Sequence, residues 1–261
     1  MVLMPYLTSP AIMLRAIDHG DYDKIITFFT LRQGKISVIA KGAKKSIKRF
    51  AGILELFSIL DLVWRYGQTR GMPTLKEASL IHPFEQIRKN ITTTAYASYW
   101  CELVYIWMEQ GQRQPSLYRL LEYVLAQLDA GDMPEQVLHI TFQLRFMAIS
   151  GFRPGLDYCS ICRKPVDRFG RSFASFDLRR GGILCEKCTP KKEQLPSLSI
   201  GTIKLLRWAL NVPLKKLNRI RFSARTIEES LAVVEPFVAY HLGKETKSLK
   251  FLKQLDSRLQ H

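Results

Sequence analysis

Two cysteine pairs constrain this chain more than any other feature. Cys159-Ser-Ile-Cys162 is followed, after a spacer of 22 residues, by Cys185-Glu-Lys-Cys188. Two residues between cysteines let both thiolates of a tight knuckle face one point, and two such knuckles complete a tetrahedron around Zn2+. A site of four thiolates leaves no open position for water, so the metal there is structural rather than catalytic. The spacer holds a strand-like run, Arg171 to Phe176, and the turn Arg179-Arg180-Gly181-Gly182, as a zinc ribbon requires. Four reduced, metal-free thiols and a pair of redox motifs are the competing readings. A thioredoxin-type pair would be single and would sit beside a βαβ unit. Cys101 lies among apolar neighbours and reads as core.

The rest of the chain need not depend on the metal. At 261 residues, with 47 % apolar and 24 % charged side chains, it can bury a core of its own. Net charge is +16, which points to a polyanionic partner: nucleic acid, an anionic membrane surface or an acidic protein. The charge is uneven, +6 over residues 1–83, −2 over 84–150 and +12 over 151–261. A neutral scaffold with cationic segments on either side is expected. No run approaches 18 apolar residues, so no transmembrane helix is expected. Met1 to Pro10 has no signal-peptide pattern, and a cytoplasmic protein is expected.

The first block reads as β. Ala11–Ile17, Lys24–Thr30, Gly34–Ala40 and Ile59–Tyr66 are short apolar or β-branched runs separated by turn residues. Such spacing over some 75 residues predicts a small barrel. Phe50–Ser58 reads as either strand or loop. After Pro83 the apolar period becomes helical: Ile87 to Ile106, Leu117 to Leu128, and Val137 to Met147, the last with Pro134 in its first turn. Helical stripes resume after the cysteine segment at Ile203–Leu210 and Ile227–Val238, where Thr226-Ile-Glu-Glu229 reads as a capping box. The tail from Lys244, with Leu249, Leu252, Leu255 and Leu259, either extends that helix or frays.

Lys41-Gly-Ala-Lys-Lys-Ser-Ile-Lys-Arg49 has five cations and no acid in nine residues, directly after an expected strand. Such a loop can lie along phosphates, with Gly42 permitting close approach. Tyr22, Phe28, Phe29, Phe50, Trp64 and Tyr66 are candidate stacking platforms in the same block. Each is also a candidate for the core. Signs of catalysis are scarce: there is no phosphate-binding G-x-x-x-x-G-K-[ST], no H-E-x-x-H and no G-x-S-x-G, and the five histidines are scattered. The residues alone lead to a basic, non-enzymatic, zinc-bearing nucleic-acid binder. An RNA-binding or transcription-associated zinc-ribbon protein shares all these features and remains open.

Ordered segments along the whole chain resemble the bacterial RecO family of DNA repair proteins. They are Asp21–Thr27, Gly34-Lys-Ile36, Ala40–Lys45, Arg49-Phe-Ala-Gly52, Ala95–Tyr99 with Glu102-Leu103, Gly151–Leu156, Phe173–Phe176 and Gly181–Cys185. With all four cysteines present, the chain resembles the zinc-bearing branch. The resemblance implies an α+β protein: an OB-fold over 1–80, then a helical domain over 81–261 with a zinc ribbon inserted at about 155–192. It implies a recombination mediator that binds single- and double-stranded DNA and anneals complementary strands. Its implied partners are the acidic tail of single-stranded DNA-binding protein, RecR and, indirectly, RecA. On this reading Lys35, Lys41, Lys44, Lys45, Lys48 and Arg49 meet DNA phosphates, and Cys159, Cys162, Cys185 and Cys188 hold the zinc. Arg119, Arg145 and Arg153, near Phe142 and Phe146, are expected to take the acidic tail.

Overall fold

The computed structural model describes residues 6–45, 50, 52–67 and 71–259. They form two compact units: one runs to Ala130 and includes the chain from Thr246 onward, the other is Gly131–Glu245. The division expected at residue 80 is drawn from a change of periodicity. The compact units are drawn by packing, which assigns three helices after the barrel, and the last helix, to the first unit.

In the first unit, five strands among the described residues close an OB-fold barrel. They are β1 (Leu7–His19), β2 (Asp23–Thr30), β3 (Gly34–Ala40), β4 (Ile59–Arg65) and β5 (Thr74–His82). The order around the barrel is β1-β2-β3-β5-β4, with β4 returning to β1 and a parallel β3–β5 contact at Ile39 and Thr74. β3 alternates buried and half-buried residues along its whole length, the period-2 pattern of a strand with one face inward. Ile26, Phe28, Ile36, Val38, Leu62 and Trp64 fill the interior. β1 closes the barrel because it bends. Its register shifts between Met13 and Arg15, and the two halves pair with different neighbours. Phe57 and Ser58 attach to that bend through Phe57 N–H to the Met13 carbonyl and Met13 N–H to the Ser58 carbonyl. Of the Phe50–Ser58 stretch, residues 52–58 are thus a loop, and Phe50 packs into the barrel core; Ala51 lies outside the described residues.

The long helical stripe after Pro83 is two helices, α1 (Glu85–Lys89) and α2 (Ile91–Trp107). Asn90 separates them in an extended conformation and accepts the Thr92 and Thr93 N–H groups at 2.8 and 3.4 Å. α3 (Pro115–Ala130) follows. The tail forms a separate helix, α7 (Lys247–Leu259). Its Leu249 and Leu252 are buried, and Ser248 N–H donates to Glu102 of α2 at 2.9 Å. No helix among the described residues is long and apolar enough to cross a membrane.

The second unit opens with α4 (Glu135–Ile149), for which Pro134 is the residue before the first turn rather than within it. The cysteine segment follows, with an antiparallel sheet of order β7-β6-β8: β6 (Phe173–Asp177), β7 (Gly182–Leu184) and β8 (Ser197–Ser199). α5 (Ile200–Asn211) and α6 (Ala224–Leu242) complete it. The cap of α6 is Ser223, whose hydroxyl accepts the Thr226 N–H at 3.2 Å. A single serine cap three residues earlier thus takes the place of the capping box expected at Thr226–Glu229. Glu229 serves α5 instead, accepting the Ser199 N–H at 2.8 Å and the Thr202 hydroxyl at 2.5 Å.

Candidate metal centre and nucleic-acid interface

The two knuckles are built by backbone hydrogen bonds. Arg163 N–H donates to the Cys159 carbonyl at 3.0 Å and Cys159 N–H to the Lys164 carbonyl at 2.8 Å. Arg163 takes a left-handed φ of 61° to make that turn. The second knuckle folds back through Cys188 and Thr189 N–H, both 3.0 Å from the Cys185 carbonyl. Two glycines bring the strands close enough: a Cβ on Gly182 would meet the Ser160 hydroxyl and the Gly155 carbonyl.

The result is a convergence of all four sulfurs within 4.8 Å of one another. Cys162 and Cys185 Sγ lie 3.6 Å apart. A tetrahedron with 2.3 Å Zn–S bonds has edges of about 3.8 Å, so the spacing fits a metal and is far too long for a disulfide. Burial pushes the Cys159 thiol up, but N–H groups of Cys185, Cys162 and Ile161 outweigh it and bring the group down to about 6. Burial and the three neighbouring thiols push Cys188 up to about 12. Thiols this close cannot all ionise without a cation among them. Four soft donors that converge and resist joint ionisation match the requirements of a structural metal ion.

Lys164 lies beside this site. Its ammonium is 3.0 Å from Glu186 and feels the sulfurs of Cys185 and Cys162. The Glu186 hydrogen bond holds its pKa above the ordinary lysine value. The pair places an ammonium near Cys185 and Cys162, with the Glu186 carboxylate balancing its charge. The i, i+22 relation between Lys164 and Glu186 carries no local signal, so sequence reasoning missed it.

The basic loop leaves β3 at Lys41 and is tied to the β1–β2 turn. Gly42 N–H donates to Asp23 Oδ1 at 2.7 Å, and Lys44 N–H to the Tyr22 carbonyl at 3.0 Å. Gly42 has φ +69°, and its α-carbon faces open space. Lys41 and Lys45 are exposed, and Lys45 Nζ sits 4.0 Å above the Tyr22 ring centre. Lys44 reaches back to Asp18 at 3.1 Å and the Gly20 carbonyl at 2.8 Å. Lys48 and Arg49 lie outside the described residues. Lys35 is set apart from the loop: its ammonium donates to the Tyr105 carbonyl at 2.7 Å, and burial holds its pKa below the usual lysine value.

The aromatic candidates divide sharply. Phe28, Phe29, Phe50 and Trp64 are buried, and only Tyr22 and Tyr66 present open faces. Large aromatics in a small barrel are its main source of buried area, and that use prevails over stacking. Tyr66 borders a cleft of about 530 Å³ with Met72, Pro73, Ser37 and Gln110.

The three candidate arginines for an acidic tail have different surroundings. Arg119 is exposed on α3 in the first unit. Arg145 closes the end of α5, donating to the Ala209 carbonyl at 2.8 Å and to the Val212 carbonyl. Arg153 is exposed and donates to Asn211 Oδ1 at 2.7 Å. Phe142 and Phe146 stack on each other with no solvent exposure.

Comparison with known proteins agrees with this geometry. Residues 4–84 match the family model described as Recombination protein O N terminal, and residues 88–250 the one described as Recombination protein O C terminal. A protein of Desulfatibacillum aliphaticivorans named DNA repair protein RecO is 42 % identical over 256 residues, covering 98 % of this chain and 99 % of its own length. One of the same name from Desulfosudis oleivorans is 43 % identical, covering 97 % of this chain and 99 % of its own length. A third so named, from Listeria innocua, is 31 % identical over 94 % of this chain and 93 % of its own length. With its barrel, its helical part and its converging cysteines all inside these matches, the chain belongs to the RecO family of DNA repair proteins.

Proposed function

We propose that this protein is a DNA-binding recombination mediator that anneals complementary strands without hydrolysing a nucleotide. The observation that carries the reading is the loop at Lys41–Lys45, anchored on the OB barrel by Gly42 and Asp23, with two exposed ammonium groups and Tyr22 beneath one of them. Phosphates of single- or double-stranded DNA run past Lys41 and Lys45. Lys44 joins them when its surface pair with Asp18 exchanges for phosphate, an exchange that costs little because exposed ion pairs are weak. Lys48 and Arg49 continue the path in sequence. Lys35 contributes to the barrel's attachment to α2 rather than to the phosphate path.

Annealing follows from charge. Two strands repel through their phosphates, a surface that neutralises both lowers that barrier, and base pairing then supplies the sequence specificity. No catalytic group takes part. One Zn2+ held by Cys159, Cys162, Cys185 and Cys188 supplies cross-linking of the two knuckles, beside the Lys164–Glu186 pair. In the cytoplasm, on the nucleoid, the protein works with RecR to load RecA onto strands coated by single-stranded DNA-binding protein. The acidic tail of that protein meets an exposed arginine, Arg119 of the first unit or Arg153 of the second.

The test is strand annealing on complementary DNA precoated with its binding protein, with no nucleotide triphosphate. Fast, salt-sensitive duplex formation is expected. Folded, zinc-loaded protein that leaves the strands apart overturns the mediator reading and returns the choice to an RNA or transcription partner.

A further inference from the structure

We infer that the second unit carries its own groove for single-stranded nucleic acid, running from Phe173 to Trp208 across the starts of α5 and α6. The inference rests on the nucleic-acid reading above and adds a strand site independent of the barrel loop.

The groove consists of two clefts that share Gly201 and Thr226. One, of about 660 Å³, holds Phe173, Arg171 and Arg225. The other, of about 590 Å³, holds Trp208, Lys204, Arg219 and Arg221. Among the described residues the two linings contain five cations, all exposed, and no carboxylate; Lys204 pairs with Asp167 at 3.7 Å and Arg225 with Glu229 at 2.8 Å, which leaves an excess of three at Arg171, Arg219 and Arg221. That charge selects a polyanion.

The aromatics narrow the choice. Phe173 is 43 % and Trp208 38 % exposed, although each belongs to a residue type that normally enters the core. Each cleft thus pairs cations with a flat π face, and Arg225 lies 5.2 Å over the Phe173 ring centre with its Nε fixed by Glu229 at 2.8 Å. Cations beside partly exposed rings match a chain of phosphates and bases, and bases stack on any aromatic regardless of sequence.

The helix starts contribute little. Ser199 and Ser223 already cap α5 and α6, and Glu229 already occupies the Ser199 N–H. Affinity therefore falls on the arginines and the rings, and a lone phosphate ion, which uses no ring, gains little. A second strand site on the same chain also meets what annealing demands, since two strands must be held at once.

The experiment titrates the full-length, zinc-loaded protein with an oligothymidylate, following tryptophan fluorescence, and repeats it with photoreactive thiothymidine to map crosslinks. Trp208→Ala is expected to weaken binding at least about fivefold, the loss of one stacked base, and Trp208→Phe to restore most of it. Replacing Arg171 and Arg219 together with Ala should lower the salt slope by about 1.4. Crosslinks should fall at Trp208 or Phe173. These positions are exposed, so thermal unfolding should match the parent. If the parent binds but the variants bind equally well with the same slope, and crosslinks map only to the barrel, the groove is overturned while the DNA-binding reading stands. If the parent binds no oligothymidylate, both fall. If polyglutamate quenches Trp208 and oligothymidylate does not, the groove takes an acidic peptide and the inference is overturned.

Discussion

Gly34 turns β2 into β3 at φ +70°, with the Gln112 carbonyl lying where a side chain would begin. Gly34→Ala therefore faces a backbone atom that cannot rotate away and a conformation that L residues avoid. It should lower the unfolding free energy by at least about 2 kcal/mol. Gly20 has a similar φ of +57° but open space around it, so Gly20→Ala should cost only about 1 kcal/mol. Denaturant midpoints of the two variants decide it, and equal losses would show that φ alone matters. The sequence marks both glycines as turns, but it cannot reveal the difference between them, because Gln112 is remote in the chain. Lys35 is a similar case. One position after Gly34, it looks like any barrel cation, and only the fold places Tyr105 against it. Cys159, Cys162, Cys185 and Cys188 are the opposite case: spacing alone names them, because a knuckle is built from local backbone bonds.

The elements most legible in the sequence are those whose burial alternates. β3 is legible to its end residues, Gly34 and Ala40, because every second residue is buried. β5 was not read at all: Leu75 is its one fully buried residue, and its place in the barrel comes from pairing with β4. In the cysteine segment Cys159, Leu184 and Cys185, with Phe169, Cys188 and Leu195 against them, form a small cluster around the knuckles, whereas Phe176 and Ile183 are buried elsewhere, Phe176 against Phe237 of α6. A metal held by the four sulfurs would then order the knuckles more than the strands behind them. Chelation should release about one zinc per chain and lower amide protection most at the two knuckles, around residues 159–164 and 185–189, while β1–β5 keep theirs. Hydrogen exchange measures this, and unchanged protection after complete zinc removal would refute it. Glu229 ties α5 to α6 and gives a pH dependence. Burial raises its pKa, but the Thr202 hydroxyl, Ser199 N–H and Arg225 outweigh that and hold the carboxyl down to about 2. Its side chain is 13 % exposed, so solvent screens these contacts little. A carboxyl depressed in the fold stabilises it fully above the unfolded value near 4.3, and that stability is lost as pH falls toward 2. The loss is on the order of 3 kcal/mol. Glu229→Gln should remove this part of the acid sensitivity, as read from unfolding free energies at pH 7 and in the acid range.

At the scale of the molecule, charge and fold were separately legible, but their combination was not. The sequence places net +6 before residue 84 and +12 after residue 150, yet it does not say which cations reach solvent together. Folding commits several. Lys35 goes to Tyr105, Arg145 to the end of α5, and Lys164 to Glu186 beside the thiolates. Lys41 and Lys45 stay exposed on a loop whose backbone is fixed by Asp23 and Tyr22, so they meet a partner without losing much freedom. A cation that is already oriented adds its full electrostatic share, whereas one bonded to a carbonyl must first break that bond. Replacing Lys41 and Lys45 together with Ala should therefore lower the salt slope of DNA binding by about 1.4 to 1.8, two phosphate contacts' worth. The same pair of changes should slow annealing most at low salt, where the strands repel each other over the longest range. Lys35→Met should leave the slope unchanged while lowering stability, because its ammonium serves the barrel rather than a phosphate. Binding isotherms at several salt concentrations, with denaturant curves for each variant, separate the two roles. A slope reduced by Lys35→Met and untouched by the Lys41 and Lys45 pair would move the phosphate path from the loop to the mouth of the Tyr66 cleft.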